Sequence, residues 1–439
     1  MLGYNVKIAL KSLRRNPILT SLLIGAIALG ICVSTTFIAL RHLFEKDPLP
    51  GKSQTLFYVR LDNWDPQRAY VAEDPKSLPS QVTYRDAMAL MKSGIATQQT
   101  PTYKTRLFVH PDPKVSRPFS ENIRLAYRDF FTMFNVPFQY GGAWDKAADA
   151  KPEQVIVLDQ TMNQKLFGGA NSIGRTVRLG ERNYKVVGVI GDWRPAVKFY
   201  DMTQSVTAEF EHVFMPFNFT RPLELTPSGN SDGWKGPDGD SYDSFLNSEV
   251  VWMQFWAELP TAEKQAAYRQ YVDNYVRDQK KLGRFQRPLH NEVTSIPDLM
   301  KELNAVPPAV KSMSIVSMLF LVVCSLNLVG LLLGKFLARI PEVSVRRALG
   351  ASRLQVFWQH VVECELVGIA GGAIGLLLSM GILRLIGKFA HQQAPELVRL
   401  DGEMVLISIF LSLVAGLLAG LYPSWRVCSV APAMQLKVQ

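Results

Sequence analysis

The chain has 439 residues, 48% of them hydrophobic, and a formal net charge of +10. That length holds two or three domains, and the apolar share is near the average for soluble proteins. A positive balance raises nucleic acid as a partner, but that reading requires Lys and Arg clustered on a soluble face, and here many of them flank apolar stretches.

In chain order, Lys7, Lys11, Arg14 and Arg15 come first, on an amphipathic segment over residues 1–17 without an acid. The stretch Ile18 to Leu40 then runs without a charge. Three more such stretches lie in the last third: Ser312 to Gly334 between Lys311 and Lys335, one that starts near Glu363 and stays uncharged from Leu366 to Leu383, and Met404 to Trp425. Each has the roughly 20 apolar residues needed to cross about 30 Å of hydrocarbon. Core helices of soluble proteins keep one polar face, which these lack. The first run is too long for the apolar part of a secretion signal and no small-x-small cleavage site follows, so a retained anchor is expected.

The spans are therefore placed at 18–42, 312–335, 363–387 and 404–426, with a soluble segment at 43–311, loops at 336–362 and 388–403, and a tail at 427–439. The fold class expected is an α-helical membrane protein of four transmembrane helices, with a mixed α/β extracytoplasmic domain inserted between helices 1 and 2. Orientation follows from the basic residues of short loops. Lys335, Arg339, Arg346, Arg347 and Arg353 follow the second span, and Arg426 and Lys437 follow the fourth. Both termini and the 336–362 loop are expected in the cytoplasm, and the large domain in the periplasm or outside, as in a multi-pass protein of the cell inner membrane. Cys32, Cys324, Cys364 and Cys428 all fall outside the large domain, which is expected to fold without disulfides.

Within the soluble segment, Thr55 to Trp64 has strand composition, and "TYRDAMALMKSG" from Thr83 predicts a capped helix closing at Gly94. Val155 to Leu158 predicts a strand, followed by a helix N-capped by Asp159 and stopped at Gly168. "TVRLGERNYKVVGVIGDW" predicts a hairpin turning over Gly180 to Asn183. Glu249 to Leu259 predicts a strand, and Ala262 to Gly283 a helix whose Tyr268, Tyr271, Val272, Tyr275 and Val276 form a core-facing stripe. Two lobes are expected, the inserted one at roughly 97–247. The Gly-, Pro-, Asp- and Ser-rich stretch from Thr226 is a loop.

Enzymatic readings fail here. The acidic loop lacks calcium-site spacing, His110, His212 and His290 are scattered, and no G-x-S-x-G elbow occurs. "FGGANSIG" lacks the Lys-Ser/Thr of a phosphate-binding loop, and the 439 residues contain no Walker A sequence. No catalytic, cofactor-binding or metal-ligating residue is expected in the chain.

The remaining question is the basic stretch "RIPEVSVRRALGASRLQVFWQH", Arg339 to His360. Pro341 suits the first turn of a helix with Glu342 at its positive end, Gly350 breaks it, and Ser352 with Gln355 fits a capping box that opens the next helix. A short helix across the end of a bundle either obeys the positive-inside rule and rests on anionic lipid, or receives a cytoplasmic motor. Within the spans, Gly368 and Gly372, Gly371 and Gly375, and Gly416 and Gly420 stand four apart, a spacing that allows close helix packing.

The stretch from Arg339 onward resembles the coupling-helix signature of FtsX-like permeases, the MacB-type ABC transporter family, approximately R-x-x-E-I-G-[IV]-R-[RK]-A-[LV]-G-A. Glu342, Val345, Arg346, Arg347, Ala348, Leu349, Gly350 and Ala351 match; Pro341 and Ser344 depart from it. "LYPSWRVCSVAPAMQLK" is similar to the family's C-terminal pattern at Pro423, Arg426, Pro432 and Ala433. "VIVLDQTMNQKLFGGANSIGRTVRLGERNYKVVGVIGDW" resembles its periplasmic-domain signature, and "NVKIALKSLRRNPILTSL" its basic entry to the first span.

The resemblance implies a permease subunit of an ABC-type export or mechanotransmission complex, itself not an enzyme, for efflux of a drug, peptide or similar substrate. It implies that ATP is bound by a partner ATPase on a separate polypeptide, which docks on Glu342, Val343, Val345, Arg346, Arg347, Ala348, Leu349, Gly350 and Ala351. It implies pairing with a second permease copy or paralogue, and a periplasmic adaptor. Two alternatives remain at this stage: an FtsX-like or lipoprotein-releasing subunit that activates a hydrolase or extracts lipoproteins, and a motor-independent anchored sensor or scaffold.

Overall fold

The computed structural model describes residues 2–111, 117–193, 195, 197–201, 209–302, 304–389 and 402–429. Pro432, Ala433 and Lys437, with most of the 388–403 loop, lie outside them. Contacts divide the chain into a helical unit, Met1–Lys46 with Val306–Gln439, and an α/β unit, Asp47–Ala305.

The helical unit opens with α1 (Leu2–Arg15) and α2 (Pro17–Glu45). Pro17 occupies the first turn of α2, where its missing N–H costs no hydrogen bond.

The α/β unit follows in the order β1 (Leu56–Leu61), α3 (Tyr84–Leu90), β2 (Gln99–His110), β3 (Phe119–Ala126), α4 (Asp129–Met133), β4 (Phe138–Gly141) and α5 (Lys146–Ala150). Next come β5 (Val155–Leu158), α6 (Gln160–Phe167), β6 (Thr176–Leu179), β7 (Arg182–Ile190), β8 (Val213–Pro216), α7 (Tyr242–Leu246), β9 (Gln254–Glu258), α8 (Ala262–Lys281), β10 (Asn291–Ser295) and α9 (Ile296–Glu302). Local chemistry sets these ends. Thr83, Asp159 and Thr261 accept hydrogen bonds from Asp86 N, Met162 N and Lys264 N to cap α3, α6 and α8. Gly168 ends α6 at φ 65°, a left-handed conformation that costs a residue with a Cβ more.

One ten-stranded sheet holds this unit together, but it is not a flat ladder. β2 pairs β3 on one side, and on the other it pairs β9 near its start and β6 near its end. β6 also pairs β7, which pairs β5, which pairs β8, which returns parallel to β3. These six strands close a ring and so leave no open edge among themselves. All of them come from the 97–247 segment. The strands that flank it in sequence, β1, β9 and β10, extend the sheet from the free part of β2. Tyr268, Val272 and Val276 of α8 join the same apolar core as Val59, Phe255 and Ile123.

Among that apolar packing lies a charged group that no local pattern announces. Arg124 of β3 is fully buried and reaches Asp201 and Glu211, and Lys198 lies 2.7 Å from Glu211. Burial by itself would raise the Glu211 carboxyl, but the Arg124 guanidinium and the Lys198 ammonium outweigh it and hold the group down at about 2.

The helical unit resumes with α10 (Pro308–Leu337), α11 (Ile340–Ala348), α12 (Arg353–Phe389) and α13 (Gly402–Cys428). Helices α2, α10, α12 and α13 are long and apolar enough to cross a membrane.

Candidate functional site

The site is built on α11 and the helix ends around it. Pro341 sits in its first turn with Glu342 beside it, and the helix stops before Gly350, whose φ of 102° suits glycine. Ser352 and Gln355 cap the next helix reciprocally: Ser352 Oγ accepts from Gln355 N at 3.2 Å, and Ser352 N donates to Gln355 Oε1 at 3.0 Å. From there α12 runs through Trp358 into the bundle without a break.

Periodicity divides α11 into two faces. Ile340, Val343 and Ser344 are buried, and the first two join the bundle core with Leu332, Phe336 and Val356. Val345 and Leu349, four residues apart, are 50% and 83% exposed. Arg346 pairs with Glu342 at 2.6 Å and donates to Gln359 Oε1 at 3.3 Å, while Arg347 donates to the Cys428 carbonyl at 3.3 Å. The arginines thus bind α11 to α12 and α13, while the apolar pair faces outward. Among the other residues of the stretch, Ala348 and Gly350 are exposed and Ala351 packs against the core.

Beneath α11 lies an ionic node assembled from four places in the chain. Glu363 of α12 and Lys335 of α10 are both 1% exposed, and their charged atoms stand 2.6 Å apart, a close ionic contact without the directionality of a hydrogen bond. Arg339, which precedes α11, lies 3.6 Å from the other Glu363 oxygen and also donates to Ser12 of α1, and Ser12 in turn donates to Glu363. Beside it, the His360 ring packs tilted against Phe336 with ring centres 4.3 Å apart. One carboxylate therefore serves two cations inside a greasy bundle. Removing it would strand both, at a cost of roughly 3–5 kcal/mol.

The sequence showed Lys335 and Glu363 only as the edges of two spans. The missed signal was that opposite charges stand at matching ends of consecutive apolar runs, since a buried charge in a membrane helix requires a partner.

The six glycines pack within the chain, and their two registers face different neighbours. Gly368 and Gly372 meet α13, where a Cβ on Gly368 would stand 3.2 Å from Gly416 Cα and a Cβ on Gly372 would strike Ser412. Gly371 and Gly375 meet α2, where a Cβ would stand 2.7 Å from Ile27 Cβ and 2.6 Å from the Ala28 carbonyl oxygen. Gly420 makes room for Cys364. Hydroxyls tie α2 to each of the other long helices: Thr35 to Ser408 and Thr36 to Ser379, each at 3.0 Å, and Ser34 to the Ser317 carbonyl at 2.8 Å. Among the described residues no group of three His, Cys, Asp or Glu is placed to hold a metal ion.

Four apolar helices closed over by a short basic helix, with an α/β domain in the sequence between the first two, define a class: multi-pass membrane proteins with a large domain inserted after the first span. The model of the MacB-like periplasmic core domain matches residues 20–275, and that of the FtsX-like permease C-terminal region matches residues 314–432. The chain belongs to the FtsX-like, MacB-type permease family.

Its relatives include the macrolide export ATP-binding/permease protein MacB of Chromobacterium violaceum, 22% identical over 97% of this chain and 59% of the relative. The protein of the same name from Burkholderia lata is 24% identical over 97% of this chain and 55% of the relative. The chain thus spans between half and three fifths of the length of these two. The crystal structure of the periplasmic region of MacB from Actinobacillus actinomycetemcomitans aligns at 15% identity with a TM-score of 0.37, covering 58% of this chain and 95% of that one.

Proposed function

We propose that this chain is the permease subunit of an ABC-type export or mechanotransmission complex, in which a separate ATPase subunit drives movement of the domain at 47–305. On this reading the ATPase docks on the outward Val345 of α11 and Leu349 just after it, and the termini lie with α11 in the cytoplasm while the α/β domain lies in the periplasm. The observation that carries it is the two-sided design of α11. An apolar pair is held out to solvent on a helix whose other face is locked, through Arg346, Arg347 and the Glu363 node, to α12, α13, α10 and α1. A helix that only rested on anionic lipid would leave its cations free for headgroups, whereas Arg346 is paired with Glu342 and both arginines bond to neighbouring helices.

The name of the relatives, which joins macrolide export to ATP binding, supports efflux of a drug-like or peptide substrate and an ATP-driven partner. Bound ATP belongs to that partner, and the chain itself carries no catalytic role. Asn327 of α10 is exposed beside Val323 and Leu326, which are 51% and 64% exposed. A polar amide facing lipid is costly, which supports a second permease copy over that face.

The test is co-purification. The ATPase is expected to follow the wild-type chain, and Leu349→Asp or the double reversal Arg346→Glu/Arg347→Glu is expected to lose it. Full retention of the ATPase by both variants would overturn the assignment.

A further inference from the structure

The α/β unit contains a cavity unconnected with α11. It measures ≈ 280 Å³ and lies past the end of β1 that is remote from the chain's entry at Asp47. Its walls include Trp64 and Trp234, and its polar lining includes Arg85, Lys235, Glu249 and Arg284. At ~30 Å³ per water this is the space of roughly nine waters, just under the usual range for drug-sized ligands, so it suits a small one.

The two indoles are anchored from behind. Trp234 Nε1 donates to the Asn63 carbonyl at 2.8 Å, and Trp64 packs edge-on against Tyr70 with ring centres 4.9 Å apart. With the Trp234 N–H already used, that side chain offers its ring surface to a ligand, and it is 39% exposed.

The charges are largely paired with one another. Arg284 clamps Asp86 at 2.8 Å and Glu249 at 3.0 Å, and Lys235 lies 2.9 Å from Asp238. Arg85 donates to the Asn247 carbonyl at 2.9 Å and lies 4.0 Å from Glu249. A charged ligand would have to compete with these pairs or leave one partner uncompensated. A neutral one would not, and the guanidinium of Arg85, with five N–H donors, retains capacity to bind hydroxyls.

Flat aromatic surface, internally balanced charge and the spare donors of Arg85 match a molecule with apolar C–H faces and a hydroxylated rim. We infer that this cavity binds the ring of a neutral saccharide, with Trp64 and Trp234 stacking on it. The inference is independent of the motor, and its failure would leave the α11 account untouched.

The experiment is ligand-observed saturation-transfer NMR on the full chain in nanodiscs free of sugar-headed lipids and detergents. The probes are neutral hexoses and disaccharides, with glucuronate, glucosamine and a neutral dipeptide as competitors in class. Expected is saturable binding of a neutral sugar with a Kd on the order of millimolar. Trp64→Ala and Trp234→Ala should each weaken it at least about tenfold, with Trp234→Phe, which keeps a ring, staying within about threefold. No saturable neutral sugar, preferential binding of the charged sugars or the dipeptide, or unchanged binding in both alanine variants would overturn the inference.

Discussion

Gly372 shows what a single position contributes. A Cβ there would strike Ser412, whose hydroxyl donates to the Gly368 carbonyl at 3.0 Å, so α12 and α13 approach to a distance that only hydrogen permits. Gly372→Ala is expected to force the helices apart and cost about 1–3 kcal/mol, the usual range for overpacking. Thermal unfolding in detergent would show it, and a melting temperature equal to that of the wild type would contradict the packing described. The glycine spacing was legible in the sequence, but the partners were not. Gly368 and Gly371 are three residues apart on one helix, and that small rotation sends one register to α13 and the other to α2. Spacing marks a narrow face without saying which helix fills it. The opposite case is Ser352 and Gln355, whose capping box is local and was readable from four consecutive residues.

At the scale of elements, the ionic node makes α10, α11 and α12 one mechanical piece. Glu363→Gln leaves Lys335 and Arg339 without their anion and is expected to destabilise the bundle by roughly 3–5 kcal/mol. The double replacement Lys335→Met/Glu363→Leu removes the fully buried pair and leaves only the partly exposed Arg339 without its anion, so it should recover part of that loss. Chemical denaturation of the two variants checks this, and a double variant no more stable than Glu363→Gln would count against the pairing.

In the α/β unit, β3 carries a second buried ion network with a pH signature. Glu211 titrates at about 2 in the folded chain against an ordinary value of 4.5, because Arg124 and Lys198 outweigh the effect of burial. The unfolded chain therefore takes up the proton first as pH falls. The stabilisation is fully present above 4.5 and is lost on descending from 4.5 toward 2. Glu211→Gln should be less stable than the wild type at neutral pH, with the gap narrowing through that window. A gap independent of pH would refute it.

Strands such as β1 and helices such as α8 were legible from strand composition and from a stripe of tyrosines and valines at helical spacing. The closed ring was not, since β6 joins β2 to β7 across some seventy residues of sequence through only two register pairs on the β2 side. Such pairings rest on long-range geometry, which no local pattern records.

For the whole molecule, the proposal is that α11 is pushed on one side of the membrane and the domain at 47–305 moves on the other. The four spanning helices were evident from hydropathy because lipid tolerates little else over that length, and their basic flanks gave the expected orientation. The node beneath α11 was hidden because it is made of charges that composition alone assigns to the helix ends. The four native cysteines are buried, so single reporters can be introduced on the exposed surface. The decisive measurement is labelling of Lys281→Cys and Leu349→Cys in intact cells with a membrane-impermeant thiol reagent small enough to reach the periplasm. Lys281→Cys is expected to react without permeabilisation and Leu349→Cys only after it. Reaction of both from the same side would contradict the transmission of force across the membrane.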